Sequence, residues 1–96
     1  MPDQEIIPFE LLCSCYNVEI GFLETLESHG LLSVSHLENQ RFIYSEELVH
    51  LEKFTRLYYE MQINVPGIEA LQNMLERIKQ LQQEKESLKA RLGIYE

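Results

Sequence analysis

Positive charge is scarce in the first two thirds of this chain. Residues 1–60 hold three basic side chains, Arg41, Lys53 and Arg56, against eleven acidic ones, and so carry the whole net charge of −8; residues 61–96 balance at five against five. Affinity for nucleic acid rests on cations that displace counterions from phosphates, so this excess of carboxylates argues against a nucleic-acid ligand and favours a basic protein surface. A plainer use of the charge is to keep the chain soluble. Equipment for catalysis is also missing. There is no Gly-rich phosphate loop, no paired-cysteine motif and only one aspartate, Asp3. His29, His36 and His50 stand at no metal-ligand spacing from one another, so neither an enzyme nor a metal or cofactor site is expected. No apolar run approaches a membrane span, and the N-terminal MPDQEIIPFE lacks the basic region and apolar stretch of a signal peptide, which predicts a cytoplasmic chain without a membrane partner. Cys13 and Cys15 lie two apart, fit no common zinc pattern and read as small buried hydrophobes in a reducing compartment.

What is present is ordinary material for folding. Ninety-six residues with 45% apolar and 25% charged side chains suit one small domain with an appendage, and disfavour disorder. Ile6-Ile7 reads as a short β-type pair, and Pro8 suits the first turn of a helix whose apolar positions are Phe9, Leu12, Cys13 and Tyr16. Tyr16-Asn17-Val18 then reads as the turn of a helix-turn-helix, because Asn tolerates a left-handed backbone and Val18 can plug the turn. The second helix runs to about Ser28, with Ile20, Leu23 and Leu26 as its apolar stripe and Glu19, Glu24 and Glu27 pointing elsewhere. Gly30 is a fitting stop, with Leu31 as the hydrophobic contact beyond it.

Ser33-Val34-Ser35 and Arg41-Phe42-Ile43 are expected to pair as a small hairpin, a wing, around His36 to Gln40 with Asn39 in the turn. Ser45 is placed as the cap of a third helix with Glu46 and Glu47 in its first turn, where the helix dipole favours anions. Leu48, Leu51, Phe54, Tyr58 and Met61 form its stripe, widened by Leu57, and make it the backbone of the core. The phenylalanines, Tyr58 and Tyr59 are read as core or rim.

From an Asn64 cap with Pro66 in the first turn, one helix of about 27 residues runs to Leu92, about 40 Å long and longer than the preceding body can cover. Leu71, Ile78, Lys85 and Leu92 recur every seven residues, and Met74, Leu81, Leu88 and Tyr95 do so three places on, as the a and d positions of a heptad. Arg77, Glu84, Lys89 and Arg91 flank the stripe at positions suited to ion pairs between helices, and Lys85 at an a position costs stability while restricting register and oligomer state. These positions predict a homodimer joined by a coiled coil over residues 66–95, with domains at 1–63 and 64–96. Ile68 and Leu75 widen the stripe near its start, which leaves open a helix that folds back on its own domain.

FELLCSCYNVEIGFLETLESHGLL, a short wing, YSEELVHLEKFTRLYYEMQINVPGIEAL and a terminal helix ending in RLGIYE together resemble the MerR-like winged-helix proteins, and more closely their CbpM-type chaperone-modulator branch. The resemblance covers nearly the whole chain. It implies a mainly α fold, a winged helix-turn-helix with a small β hairpin and a long C-terminal coiled-coil helix, and pairing of the last helices. Classical MerR regulators hold DNA through an arginine and two tyrosines where this chain has Glu24, Thr25 and Leu26. They carry a basic residue where it has Ser33-Val34-Ser35, and an arginine where it has Phe42. Each departure removes a phosphate contact, and an anion in that place adds repulsion. Chaperone modulators bind the J-domain of a CbpA/DnaJ-like co-chaperone and keep it from DnaK, and the resemblance implies that role here. A J-domain presents a basic helix, which an acidic domain attracts by charge. The expected contacts are Glu24 and Glu27, with Phe22 and Phe42 as apolar anchors. The other roles weighed are a MerR-type DNA-binding regulator and a structural dimerisation adaptor.

Overall fold

The computed structural model describes residues 5–93. Asp3 and the last expected d position, Tyr95, lie outside them. The described chain is mainly helical with one small antiparallel sheet, in the order β1 (Ile6–Pro8), α1 (Phe9–Tyr16), α2 (Ile20–Ser28), β2 (Ser35–Leu37), β3 (Gln40–Tyr44), α3 (Leu48–Thr55) and α4 (Val65–Leu92). The sheet order is β1-β3-β2, so the first strand closes against the hairpin that follows α2. Ile7 stands opposite Ile43, and Ser35 opposite Phe42.

Both early helices end as their sequences dictate. Asn17 takes up a left-handed backbone at φ 55°, and the N–H of Val18 reaches back to the Cys13 carbonyl at 3.3 Å, which closes α1. Val18 is buried in the turn. Gly30, at φ 74°, ends α2 in the same way: the Leu31 N–H donates to the Leu26 carbonyl at 2.9 Å and the Gly30 N–H to that of Glu27 at 3.0 Å.

The stripe on α2 differs from expectation. Leu23 and Leu26 are fully buried, but Ile20 is 45% exposed and Phe22 takes its place inside. The cause is tertiary. The Phe22 ring lies 4.5 Å from that of Tyr58 and 5.3 Å from that of Tyr59, centroid to centroid, so the aromatic segment after α3 turns α2 about its axis. The Tyr59 hydroxyl also accepts the N–H of Glu19 at 3.1 Å, one of the donors left over at the start of α2.

The hairpin is tighter than expected. Its turn is the two residues Glu38 and Asn39, both left-handed at φ 51° and 66°, so His36 and Leu37 belong to the strand and Ser33-Val34 fall outside it. Ser45 does not cap α3. It opens a 3₁₀ turn over Ser45–Glu47, and its hydroxyl oxygen accepts the Glu5 N–H at 3.3 Å while its own N–H donates to the Glu5 carbonyl at 2.9 Å. That exchange ties the chain leading into β1 to the start of the third helical segment. After Thr55 the helix widens into a π-helical turn, Arg56–Glu60, and Gln62 turns left-handed at φ 58°. Leu51 and Phe54 are buried as predicted, whereas Met61, beyond the widened turn, is exposed.

Asn64 caps α4 as predicted, its side-chain oxygen accepting the Gly67 N–H at 2.8 Å with Pro66 in the first turn. Val65 and Ile68 are buried in the core made by α1, α2, α3 and β3, so the start of α4 is part of the body. Its remainder is uncovered. Met74, Leu75, Ile78, Leu81, Leu88 and Leu92 are each 48–71% exposed, Leu71 is half-buried and Lys85 exposed. The helix therefore does not fold back to bury its stripe on its own body. Among the described residues, no helix is long and apolar enough to cross a membrane.

Candidate interaction surface

The exposed side of α2 is built by the residues its packing leaves over. Burying Phe22, Leu23 and Leu26 turns Glu24 and Glu27 outward, toward the hairpin that crosses this side of the helix. Their carboxylates find partners there. Arg41 Nη1 on β3 donates to Glu24 Oε2 at 2.7 Å, and His36 Nε2 on β2 lies 2.9 Å from Glu27 Oε2. The Arg41 guanidinium also sits over the Phe9 ring, 4.9 Å from its centroid. A third pair, His29 Nδ1 with Glu69 Oε1 at 2.7 Å, joins the end of α2 to α4. None of these groups is buried, so the Arg41–Glu24 ion pair is worth about 0.2–1 kcal/mol, and a competing cation can displace Arg41 at little cost.

Two of the expected contact residues fail on burial. Phe22 and Phe42 retain 4% and 8% of their surface, so neither is available to a partner as an apolar anchor. Phe22 is held by the tyrosines, and Phe42 lies edge-on to Tyr44 at 5.7 Å. Glu24 and Glu27 are on the surface as expected, one helical turn apart, but engaged. Sequence separation conceals those engagements: Arg41 is 17 residues from Glu24 and His36 nine from Glu27, and only the closed hairpin brings them together.

The cysteines also differ from expectation. Cys15 is exposed and Cys13 half-buried, and both are free thiols. Burial pushes the Cys13 thiol above its ordinary value, against the opposing pull of Arg41. Tyr16, one turn beyond Leu12, donates its hydroxyl to Glu52 Oε2 on α3 at 2.9 Å. Burial raises its pKa first, followed by the hydrogen bond to Glu52 and the charges of Glu52 and Cys15. Among the described residues no group of three or more His, Cys, Asp or Glu side chains is arranged to hold a metal ion. The surface thus carries carboxylates held by weak pairs, on a lobe with few cations of its own.

Comparison with curated proteins and with solved structures finds no match. The family model described as MerR HTH family regulatory protein matches residues 7–90, from β1 almost to the end of α4, and the chain belongs to that family.

Proposed function

We propose that the chain is a protein-binding chaperone modulator: a winged helix-turn-helix of the CbpM type that binds the J-domain of a CbpA/DnaJ-like co-chaperone and inhibits its action with DnaK. One observation carries this reading. The exposed side of α2, the position from which a helix-turn-helix reads DNA, presents Glu24 and Glu27, and the nearest cation, Arg41, is already held by Glu24. Such a surface repels a phosphate backbone and attracts a basic helix, which steers association and competes with other acidic surfaces for the same helix. Binding exchanges Arg41 and His36 for the partner's own cations, a substitution that weak surface pairs permit.

The working form is a homodimer joined through the heptad stripe of α4. The exposed apolar residues Met74, Ile78, Leu81, Leu88 and Leu92 form one seam broken only at Lys85, and a second copy is a natural cover for it. Calorimetric titration with the J-domain of the same organism's CbpA-like protein, at low salt, tests the function. Heat of binding at micromolar concentration that declines with added salt is expected, and its absence would sink the reading.

Membership in the MerR HTH regulatory family favours one other reading, a DNA-binding regulator. That reading requires cations from elsewhere, and a gel shift of promoter DNA surviving moderate salt would establish it.

A further inference from the structure

A helix that docks on an acidic lobe also needs apolar surface to bury, and Phe22 and Phe42 are closed inside the body. An open apolar surface lies between α1 and α3. Leu11 and Cys15, one turn apart on the exposed side of α1, line a groove of about 430 Å³ together with Leu48 of α3 and Ile7 of β1. Leu11 is 49% exposed, and the neighbouring Ile6 more so. The rim is acidic, with Glu5 among the lining residues and Glu52 holding the Tyr16 hydroxyl. Among the described residues no lysine or arginine lines the groove. Of the lobe's three cations, Arg41 is paired with Glu24, Lys53 is folded over the Phe54 ring at 5.5 Å, and Arg56 is exposed one turn beyond Glu52, outside the groove's lining.

We propose that this groove receives the apolar stripe of an amphipathic helix whose polar face is basic, an inference that rests on the protein-binding function proposed above. The groove follows α1 for one turn, from Leu11 to Cys15, and meets α3 at Leu48, with Glu52 one turn further along α3 and bonded to the lining Tyr16. That length matches anchors spaced three or four residues apart on an incoming helix. Flanking lysines or arginines of that helix then meet Glu5 and Glu52. An apolar floor under an acidic rim excludes a phosphate chain on both counts.

Cys15 is a built-in reporter for the occupant. In the unsubstituted chain, N-ethylmaleimide is expected to label the exposed Cys15 readily and saturating J-domain to slow that labelling several-fold, read by mass spectrometry of the Cys15 peptide. In parallel, Leu11→Glu weakens J-domain binding by about tenfold or more. Because Leu11 is half exposed the variant keeps its fold, checked by its circular dichroism. If the J-domain binds but leaves Cys15 unprotected and Leu11→Glu without effect, the groove is overturned and the proposed function stands. If the unsubstituted chain binds no J-domain, the function fails and takes the groove's occupant with it. If Cys15 becomes protected in the chain alone as its concentration rises, the occupant is a second copy and the basic helix is overturned.

Discussion

Glu24 and Glu27 serve two purposes that single substitutions separate. Each would carry negative charge toward the partner proposed above, and each holds a hairpin residue, Arg41 or His36. Glu24→Lys with Glu27→Lys removes both at once and is expected to weaken J-domain binding strongly. Arg41→Ala releases the hairpin but leaves the carboxylate free, so binding should hold or improve. If Arg41→Ala weakens binding as much as the charge reversal does, hairpin position rather than charge is what the partner reads. Tyr16 gives a second test at this scale. Its pKa is raised above 10.0 in the folded chain, so it binds its proton more tightly folded than unfolded. Its contribution to stability is therefore complete below about pH 10 and is lost as pH rises through the raised value. Tyr16→Phe should cost roughly 1 kcal/mol or less at pH 8 in urea unfolding, and that deficit should shrink at pH 11. A deficit unchanged with pH would mean that the hydroxyl is not held by Glu52.

The helix ends were legible in the sequence and the buried faces only partly so, for a physical reason. Asn17, Gly30 and Asn64 act through their own backbone or the next few residues, and each ends or begins a helix where the local pattern says it should. The inward side of α2 is decided by Tyr58 and Tyr59, more than thirty residues away, and no period within α2 distinguishes Phe22 from Ile20. The hairpin register was hidden because its two left-handed turn residues are Glu38 and Asn39, without the glycine that marks such a turn. The acidic candidates were readable from composition; their partners and the groove beside α1 depend on how the elements close. Gly67 is a further case at this scale. In a helix interior Gly→Ala normally gains about 0.8–1 kcal/mol. Here an added Cβ would stand 2.9 Å from Ile63 Cγ2 and 3.1 Å from Asn64 Oδ1, the oxygen that caps α4. Gly67→Ala is thus expected to give no gain and up to about 1 kcal/mol of loss, because it disturbs the cap. A rise in melting temperature would show that Ile63 moves aside freely.

For the whole molecule, the charges along the uncovered stripe of α4 favour one orientation for the dimer proposed above. Parallel pairing sets Lys85 against its own counterpart in the seam, an unfavourable meeting of like charges. Antiparallel pairing centred between Ile78 and Leu81 sets Leu71 against Leu88 and Lys85 against Met74, and brings Arg77 of each copy beside Glu84 of the other. Shifting that register by a heptad in one direction places Arg77 against Arg77, and in the other Glu84 against Glu84. Ile78→Lys with Leu81→Lys puts cations into the central layers, and light scattering should then find the 11.4 kDa single chain where the unsubstituted protein is expected to give twice that mass. A monomer for the unsubstituted protein would dispose of the coiled coil itself. Orientation is read from Leu92→Cys in a chain whose Cys13 and Cys15 are replaced by serine. In the antiparallel register the two substituted positions lie some 25 residues apart along the seam, roughly 38 Å, far beyond the reach of a disulfide. Mild oxidation should therefore leave the chains unlinked, whereas rapid formation of a covalent dimer would mean that the helices run parallel and that the Lys85 pair is tolerated.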